Sequence, residues 1–296
     1  MDYIYMKNRD YYFLAIQTIL FSFVSVFFTR NVTAQASEKS YLGLDLSNPD
    51  DITTISLKNK GLNSFPKELF RFKNLRFLDL SGNNLEEIPP DIIKLSQLQF
   101  LDVSENNIQK LPTNFSQLDN LNSVYLGGNK ALDIKQVLTV IPSANIQILD
   151  LQYDNIKELP EIIGKFQRLK KLVLTGNPIQ NLPNSISRLS QLQVLYINDD
   201  PYFDIDENME MLNNLKSLEE LHLEEDNLSY IPETLLKLEN LRYLYLNRNN
   251  LEVFPLTTDE LESLEYLDVS GNPLPKLEME GLENRLAPTI KINFGN

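Results

Sequence analysis

One eleven-position pattern, L-x-x-L-x-L-x-x-N-x-L, returns along most of the chain. Leu75-Arg-Phe-Leu-Asp-Leu-Ser-Gly-Asn-Asn-Leu85 is followed by Leu98-Gln-Phe-Leu-Asp-Val-Ser-Glu-Asn-Asn-Ile108. Frames begin at Ile52, Leu75, Leu98, Leu121, Ile146, Leu169, Leu192, Leu218, Leu241 and Leu264. Seven of the nine spacings are 23 residues; the repeats from Leu121 and Leu192 run 25 and 26. A unit this short cannot bury its own apolar face, so successive units must stack into one continuous core. Frame residues 1, 4 and 6 alternate as a short strand and point inward, and residue 11 closes the core from the other side. Frame residue 9 is Asn at 83, 106, 129, 177, 249 and 272. A buried amide there donates to and accepts from turn backbone groups that would otherwise go unpaired. Asp154, Asp200 and Asp226 replace it in three frames and Lys60 in the first. A carboxylate donates only when protonated, which predicts weakened or rearranged ladders at those three.

The second half of each repeat has its own signature. Ile88-Pro-Pro-Asp-Ile-Ile-Lys-Leu95 recurs as Leu159-Pro-Glu-Ile-Ile-Gly-Lys-Phe166, as Leu182-Pro-Asn-Ser-Ile-Ser-Arg-Leu189 and as Ile231-Pro-Glu-Thr-Leu-Leu-Lys-Leu238. Proline fixes φ where the chain turns, which suits an irregular or 3-10 segment better than a long helix. Over residues 52 to about 277 the chain resembles the leucine-rich-repeat family. The L-P-x-x-I-x-x-L form is similar to the class found in intracellular Ras-binding scaffolds and in many exported bacterial repeat proteins. The resemblance implies a repeat solenoid, the leucine-rich-repeat horseshoe, with about ten repeats. A parallel sheet would line its concave face, with 3-10, irregular or helical segments on the convex face. It also implies a non-enzymatic module that binds a protein on the inner curve, without a cofactor. Bacterial relatives that act as ubiquitin ligases use a catalytic cysteine, and this chain has none.

The amino terminus reads as an address. Residues 1–10 are polar and carry Lys7 and Arg9, Tyr11 to Phe28 is mostly apolar, and Ala34-Gln-Ala36 suits signal-peptidase cleavage before Ser37. Residues 1–36 are therefore expected to be a secretory signal, with an uncleaved membrane anchor as the rival reading. Residues 37–51 are expected to form an amino-terminal cap, 52–277 the repeat domain and 278–296 a carboxy-terminal cap. Within the last, Thr289-Ile-Lys-Ile-Asn-Phe294 alternates like a closing strand. With an export signal and no cysteine caps, the bacterial group fits best, in the periplasm or secreted.

Charge narrows the partners. The formal net charge is −14, and the residues after 36 carry 24 basic and 39 acidic side chains. Such a surface repels nucleic-acid phosphates, whose binding depends on Lys and Arg releasing counterions. It disfavours anionic lipid too, so neither nucleic acid nor membrane insertion after signal cleavage is expected. Absence of cysteine excludes disulfides, zinc–thiolate sites and thiol nucleophiles.

Frame residues 3, 5 and 7 should face the inner curve of an arc roughly 45–50 Å long at about 4.8 Å per strand. Residues 3 and 5 place there Phe77, Asp79, Phe100, Asp102, Tyr125, Asp150, Tyr196, His222, Tyr243 and Tyr245, the candidate partner-binding set. Phe77 and Phe100 side by side are not needed for folding, and aromatic clusters on a rigid sheet make binding hot spots. The bland reading is strand propensity for the aromatics and a common filling of the frame for Asp79 and Asp268. His222 is the only histidine. Alone it cannot build a usual zinc site, and no nucleophile motif accompanies it, so no catalytic or metal role is expected. The acidic stretch 199–207 lacks the glycine and spacing of an EF-hand loop and reads as a solvated bulge rather than a calcium site. The Leu121 repeat, with Gly127-Gly128 and no proline at the usual place, should take another course on the convex side. Two rival functions remain: glycan binding, and a structural surface protein or adhesin.

Overall fold

The computed structural model of the protein describes residues 48–255, 263–286 and 288–295. The expected signal at 1–36 and cap residues 37–47 lie outside the described residues. From Asn48 onward the strands form one open, parallel, eleven-stranded sheet in sequence order. β1 is Thr54–Ser56, β2 Phe77–Asp79, β3 Phe100–Asp102, β4 Ser123–Tyr125, β5 Ile148–Asp150 and β6 Lys171–Val173. β7 is Val194–Tyr196, β8 Glu220–His222, β9 Tyr243–Tyr245, β10 Tyr266–Asp268 and β11 Lys291–Asn293. From β1 to β10 each strand is frame residues 3 to 5, and pairing joins like positions, as in Phe77↔Phe100, Leu78↔Leu101 and Asp79↔Asp102. β11 forms within the alternating stretch near the carboxy terminus and pairs with β10.

The core lies behind the sheet. Frame residues 1, 4 and 6 of successive repeats, such as Leu75, Leu78 and Leu80 and then Leu98, Leu101 and Val103, are fully buried. Phe72, Phe115, Phe166 and Phe254 fill it from the convex side. The expected amide ladder is present. The Asn83 side-chain oxygen accepts from the Lys60 and Leu62 N–H groups at 3.0 Å each. Its Nδ2 donates to the Leu57 and Leu80 carbonyls at 3.0 and 2.7 Å. Asn177 and Asn249 repeat this four-point pattern. Asp154 is half as well served: Oδ1 accepts from the Asn129 N–H at 2.7 Å, and buried Oδ2 has no partner. Asp226 has the same defect. Asp200 escapes it by rearrangement, one oxygen accepting from the Ile179 N–H and the other from the Tyr202 N–H.

The convex side is made of short 3-10 turns such as Pro90–Lys94, Glu161–Lys165, Asn184–Arg188 and Glu233–Lys237, each entered from a proline. Among the described residues three α-helices interrupt this: α1 (Ile134–Val140), α2 (Ile205–Asn213) and α3 (Lys276–Arg285). α1 and α2 fall in the 25- and 26-residue repeats. Seven residues at 1.5 Å rise span about 10.5 Å, and five 3-10 residues at 2.0 Å span about 10 Å. The extra residues of the Leu121 repeat are thus wound up without lengthening its convex edge. The acidic stretch 199–207 is not a solvated bulge. Phe203 and Ile205 are buried, Asp200 turns into the ladder, and Asp204 caps α2 by accepting from the Glu207 N–H at 3.1 Å. The apolar residues that α2 must bury decide its course, and the carboxylates satisfy backbone donors.

Candidate functional site

Concave positions line up in rows because like frame positions pair across the sheet. Three expected residues form an aromatic strip over β2–β4. Phe77 and Phe100 stack at 4.0 Å between centroids with 9° between planes, and Tyr125 tilts onto Phe100 at 4.9 Å. Both phenylalanines stay half-exposed, whereas Tyr125 is buried between its neighbours. Asp79 and Asp102 stand beside the strip but do not reach outward. Each accepts from the backbone N–H and hydroxyl of the serine two residues on, Ser81 or Ser104. Burial, against hydrogen bonds from Ser104, pushes the Asp102 carboxyl up to about 7.

A second group occupies β7–β10. His222 lies between Tyr196 at 3.7 Å and Tyr245 at 4.1 Å, both nearly parallel to it, and Tyr266 tilts onto Tyr245. Both imidazole nitrogens are engaged on the same strand: Nε2 with Glu220 Oε1 at 2.7 Å and Nδ1 with Glu224 Oε1 at 2.8 Å. Burial alone would push the imidazole down; Glu224 and Glu220 outweigh it and hold it above its usual value. With a carboxylate oxygen at each nitrogen, the ring can donate to both only when both nitrogens carry a proton. The Tyr196 hydroxyl donates to Glu220 at 3.2 Å, and Lys171 Nζ lies 4.4 Å from the Tyr196 ring centre. Asp150 and Lys171 separate the two groups. Burial pushes Asp150 up to about 6 and the Lys171 amine down.

The structure thus corrects the expectation of an exposed candidate set. Tyr125, Tyr196 and His222 are buried because rings at strand spacing cover one another's faces, and Asp150 is buried as well. Tyr243 is drawn to the side, its hydroxyl donating to Glu265 at 3.0 Å. Tyr245 is half-buried. The candidate set also missed Glu224 and Asn198, both at frame residue 7. That row reads Lys58, Ser81, Ser104, Gly127, Gln152, Thr175, Asn198, Glu224, Asn247 and Ser270. Glu224 is its one acid, a departure visible without a structure. In most frames with Asp at residue 5, Ser at residue 7 donates to it; in the eighth, His222 donates to Glu224, so donor and acceptor have exchanged places. On the adjoining edge the Tyr153 ring crosses Gly176, whose Cβ would fall 2.1 Å from it, and its hydroxyl reaches Asp199 at 3.0 Å.

A family profile described as a leucine-rich repeat region matches residues 53–143 and 144–240, and a second, leucine rich repeat, matches 216–274. The chain belongs to the leucine-rich-repeat family. Among solved structures, this leucine-rich-repeat chain is similar to a leucine-rich-repeat protein of Leptospira interrogans. The TM-score is 0.68 at 29% identity, over 81% of this chain and 60% of that one. It is also similar in fold to the TLR13–ssRNA13 complex structure, with TM-score 0.64 and 24% identity over 83% of this chain and 37% of that one. This leucine-rich-repeat chain therefore spans less than two thirds of the length of either. No curated protein matches it. Its fold is that of a protein-interaction module, of a family that is typically non-enzymatic. Among the described residues no helix is long and apolar enough to cross a membrane.

Proposed function

We propose that the chain is an exported, non-enzymatic binding module that holds a protein partner on its concave face, with Phe77 and Phe100 as the anchor. The observation that carries this is the half-exposed Phe77–Phe100 stack. The solenoid core lies on the other side of the sheet and gains nothing from these rings. Large aromatic surface held rigid by neighbouring strands loses little entropy on binding, which is how hot spots are built. The order of basic, apolar and small residues in 1–36 supports export, to the periplasm or outside the cell.

The test is capture from envelope, culture and host-cell extracts by the chain against a Phe77→Ala/Phe100→Ala variant of equal melting temperature. A partner held by the first and weakened about 30-fold or more by the double change, in line with two lost anchors, is the expected result. Equal capture by both removes the inner curve from the reading. Mass spectrometry of the exported protein should find Ser37 at its amino terminus. Glycan binding fits less well because the Tyr196, His222 and Tyr245 faces are stacked on one another, leaving few open for a sugar.

A further inference from the structure

Five large apolar side chains stay exposed among the described residues: Tyr153, Tyr202, Tyr230, Val253 and Leu277. The three tyrosines converge on the stretch that leaves β7 and enters α2. Tyr202 belongs to that stretch and is 67% exposed. The Tyr153 hydroxyl, from the fifth repeat, reaches Asp199 at its start. The Tyr230 hydroxyl, from the eighth, donates to Asp206 in the first turn of α2. One exposed ring needs no explanation, but three drawn onto one loop do.

The fold does not require these rings. Frame residue 8 takes a positive φ in all ten frames, a conformation that suits glycine. Tyr153 holds φ 56 there and lays its ring across Gly176. Strain of that kind persists where a side chain is needed in one particular place. Tyr202 stands at frame residue 11, a core position in most repeats, whereas here the next residue, Phe203, is the buried one.

Charge says what the rings would meet. From 189 to 236 the chain holds twelve acids and one lysine, besides His222. Lys216 precedes β8, so it lies at the opposite edge of the sheet from a loop that follows β7. Arg248, from the ninth repeat, is already held by Glu225 at 2.5 Å. Asp206 and Glu207 are exposed beside the tyrosines. Covering such a face with a neutral or anionic surface would desolvate carboxylates without a counter-charge. A guanidinium answers both features, because it is weakly hydrated, stacks on an aromatic face and donates to carboxylates at its rim.

We propose that the loop edge of the seventh and eighth repeats is a second docking surface, on which Tyr202 and Tyr230, with Asp206 and Glu207, receive an arginine-bearing basic segment of another protein. It lies apart from the Phe77–Phe100 strip and does not rest on the concave-face reading.

The test is fluorescence anisotropy of a labelled tetra-arginine peptide titrated with the full chain at low ionic strength. Tetra-citrulline, the same shape without charge, is the comparison. Tetra-arginine should bind saturably and tetra-citrulline about tenfold more weakly, the worth of charge-assisted bonds. Tyr202→Ala/Tyr230→Ala changes no charge and should weaken tetra-arginine about fivefold or more, from two lost cation–ring contacts. Asp206→Asn/Glu207→Gln should weaken it at least as much. Glu86→Gln/Glu87→Gln removes the same charge from an exposed pair in the second repeat and should change it less than twofold. Should the double tyrosine variant melt lower, Tyr202→Ala alone tests the same face, with a two- to threefold loss expected. The proposal is overturned if tetra-citrulline binds as tightly, or if the tyrosine variants bind undiminished. It is equally overturned if the two acid pairs behave alike, which would reduce the binding to net charge. No partner protein enters the titration, so it can fail while capture through Phe77 and Phe100 succeeds, or succeed while capture fails.

Discussion

At the scale of single residues, frame position 9 decides how well one turn is bound to the next. Asn83 accepts there from two backbone N–H groups and donates to the Leu57, Leu80 and Ser81 carbonyls. Asp154 stands in the same place with one oxygen unpartnered. That oxygen occupies the site from which Asn177 Nδ2 donates to two carbonyls, so it is at ease only with a proton on it. Burial pushes the Asp154 carboxyl up to about 8, against a hydrogen bond from Asn129. The folded chain thus holds this proton more tightly than the unfolded chain, where a free Asp titrates near 3.9. Its contribution to stability is whole below about pH 4 and is lost as pH rises to about 8. Asp154→Asn restores a permanent donor. It should raise stability at pH 7.5 by about 1–2 kcal/mol and flatten the pH dependence of the melting temperature between pH 4 and 8. A variant no more stable at pH 7.5 than the original would refute the protonated-ladder account. The asparagines were legible from the sequence because their spacing and chemistry agree. Glu224 stands out in the sequence as the one acid at residue 7, but its role does not, because that depends on a partner two residues back on the same strand.

At the scale of elements, the frame gave the strands almost residue for residue, since only residues 3 to 5 can face a partner strand while 1, 4 and 6 are buried. The convex side was half legible. Proline after the strand loop correctly announced 3-10 turns, but spacings of 25 and 26 announced only that two repeats differ. The signal for α1 and α2 was present in Asp133-Ile-Lys-Gln136 and Asp204-Ile-Asp-Glu207, each an N-cap acid three residues before Gln or Glu. Reading 199–207 as loose acid hid it. Asp204→Ala removes the cap bond to Glu207 and a charge at the positive end of α2. Thermal denaturation should register a loss of about 1 kcal/mol. Capture of the partner should not change, because α2 lies on the convex side. A change there would mean that α2 positions the concave face.

At the scale of the whole molecule, strands follow sequence order without a crossover, so stability is built from repeats and the seams between neighbours. Such a chain is expected to fray from its ends and to come apart in sections. Tyr153 departs from that rule. It belongs to the fifth repeat, passes over Gly176 in the sixth and meets Asp199 in the seventh. A side chain that reaches past its neighbour ties together three units that would otherwise melt in succession. Tyr153→Phe keeps the ring over Gly176 and removes the reach, and should cost about 0.5–1.5 kcal/mol. Its fuller signature should be a shallower urea transition, since loss of cooperativity lowers the apparent slope; an unchanged slope would count against the tie. The same tyrosine holds the fifth, sixth and seventh repeats to one spacing. A ligand laid along that stretch of the inner curve would meet a ruler rather than a hinge.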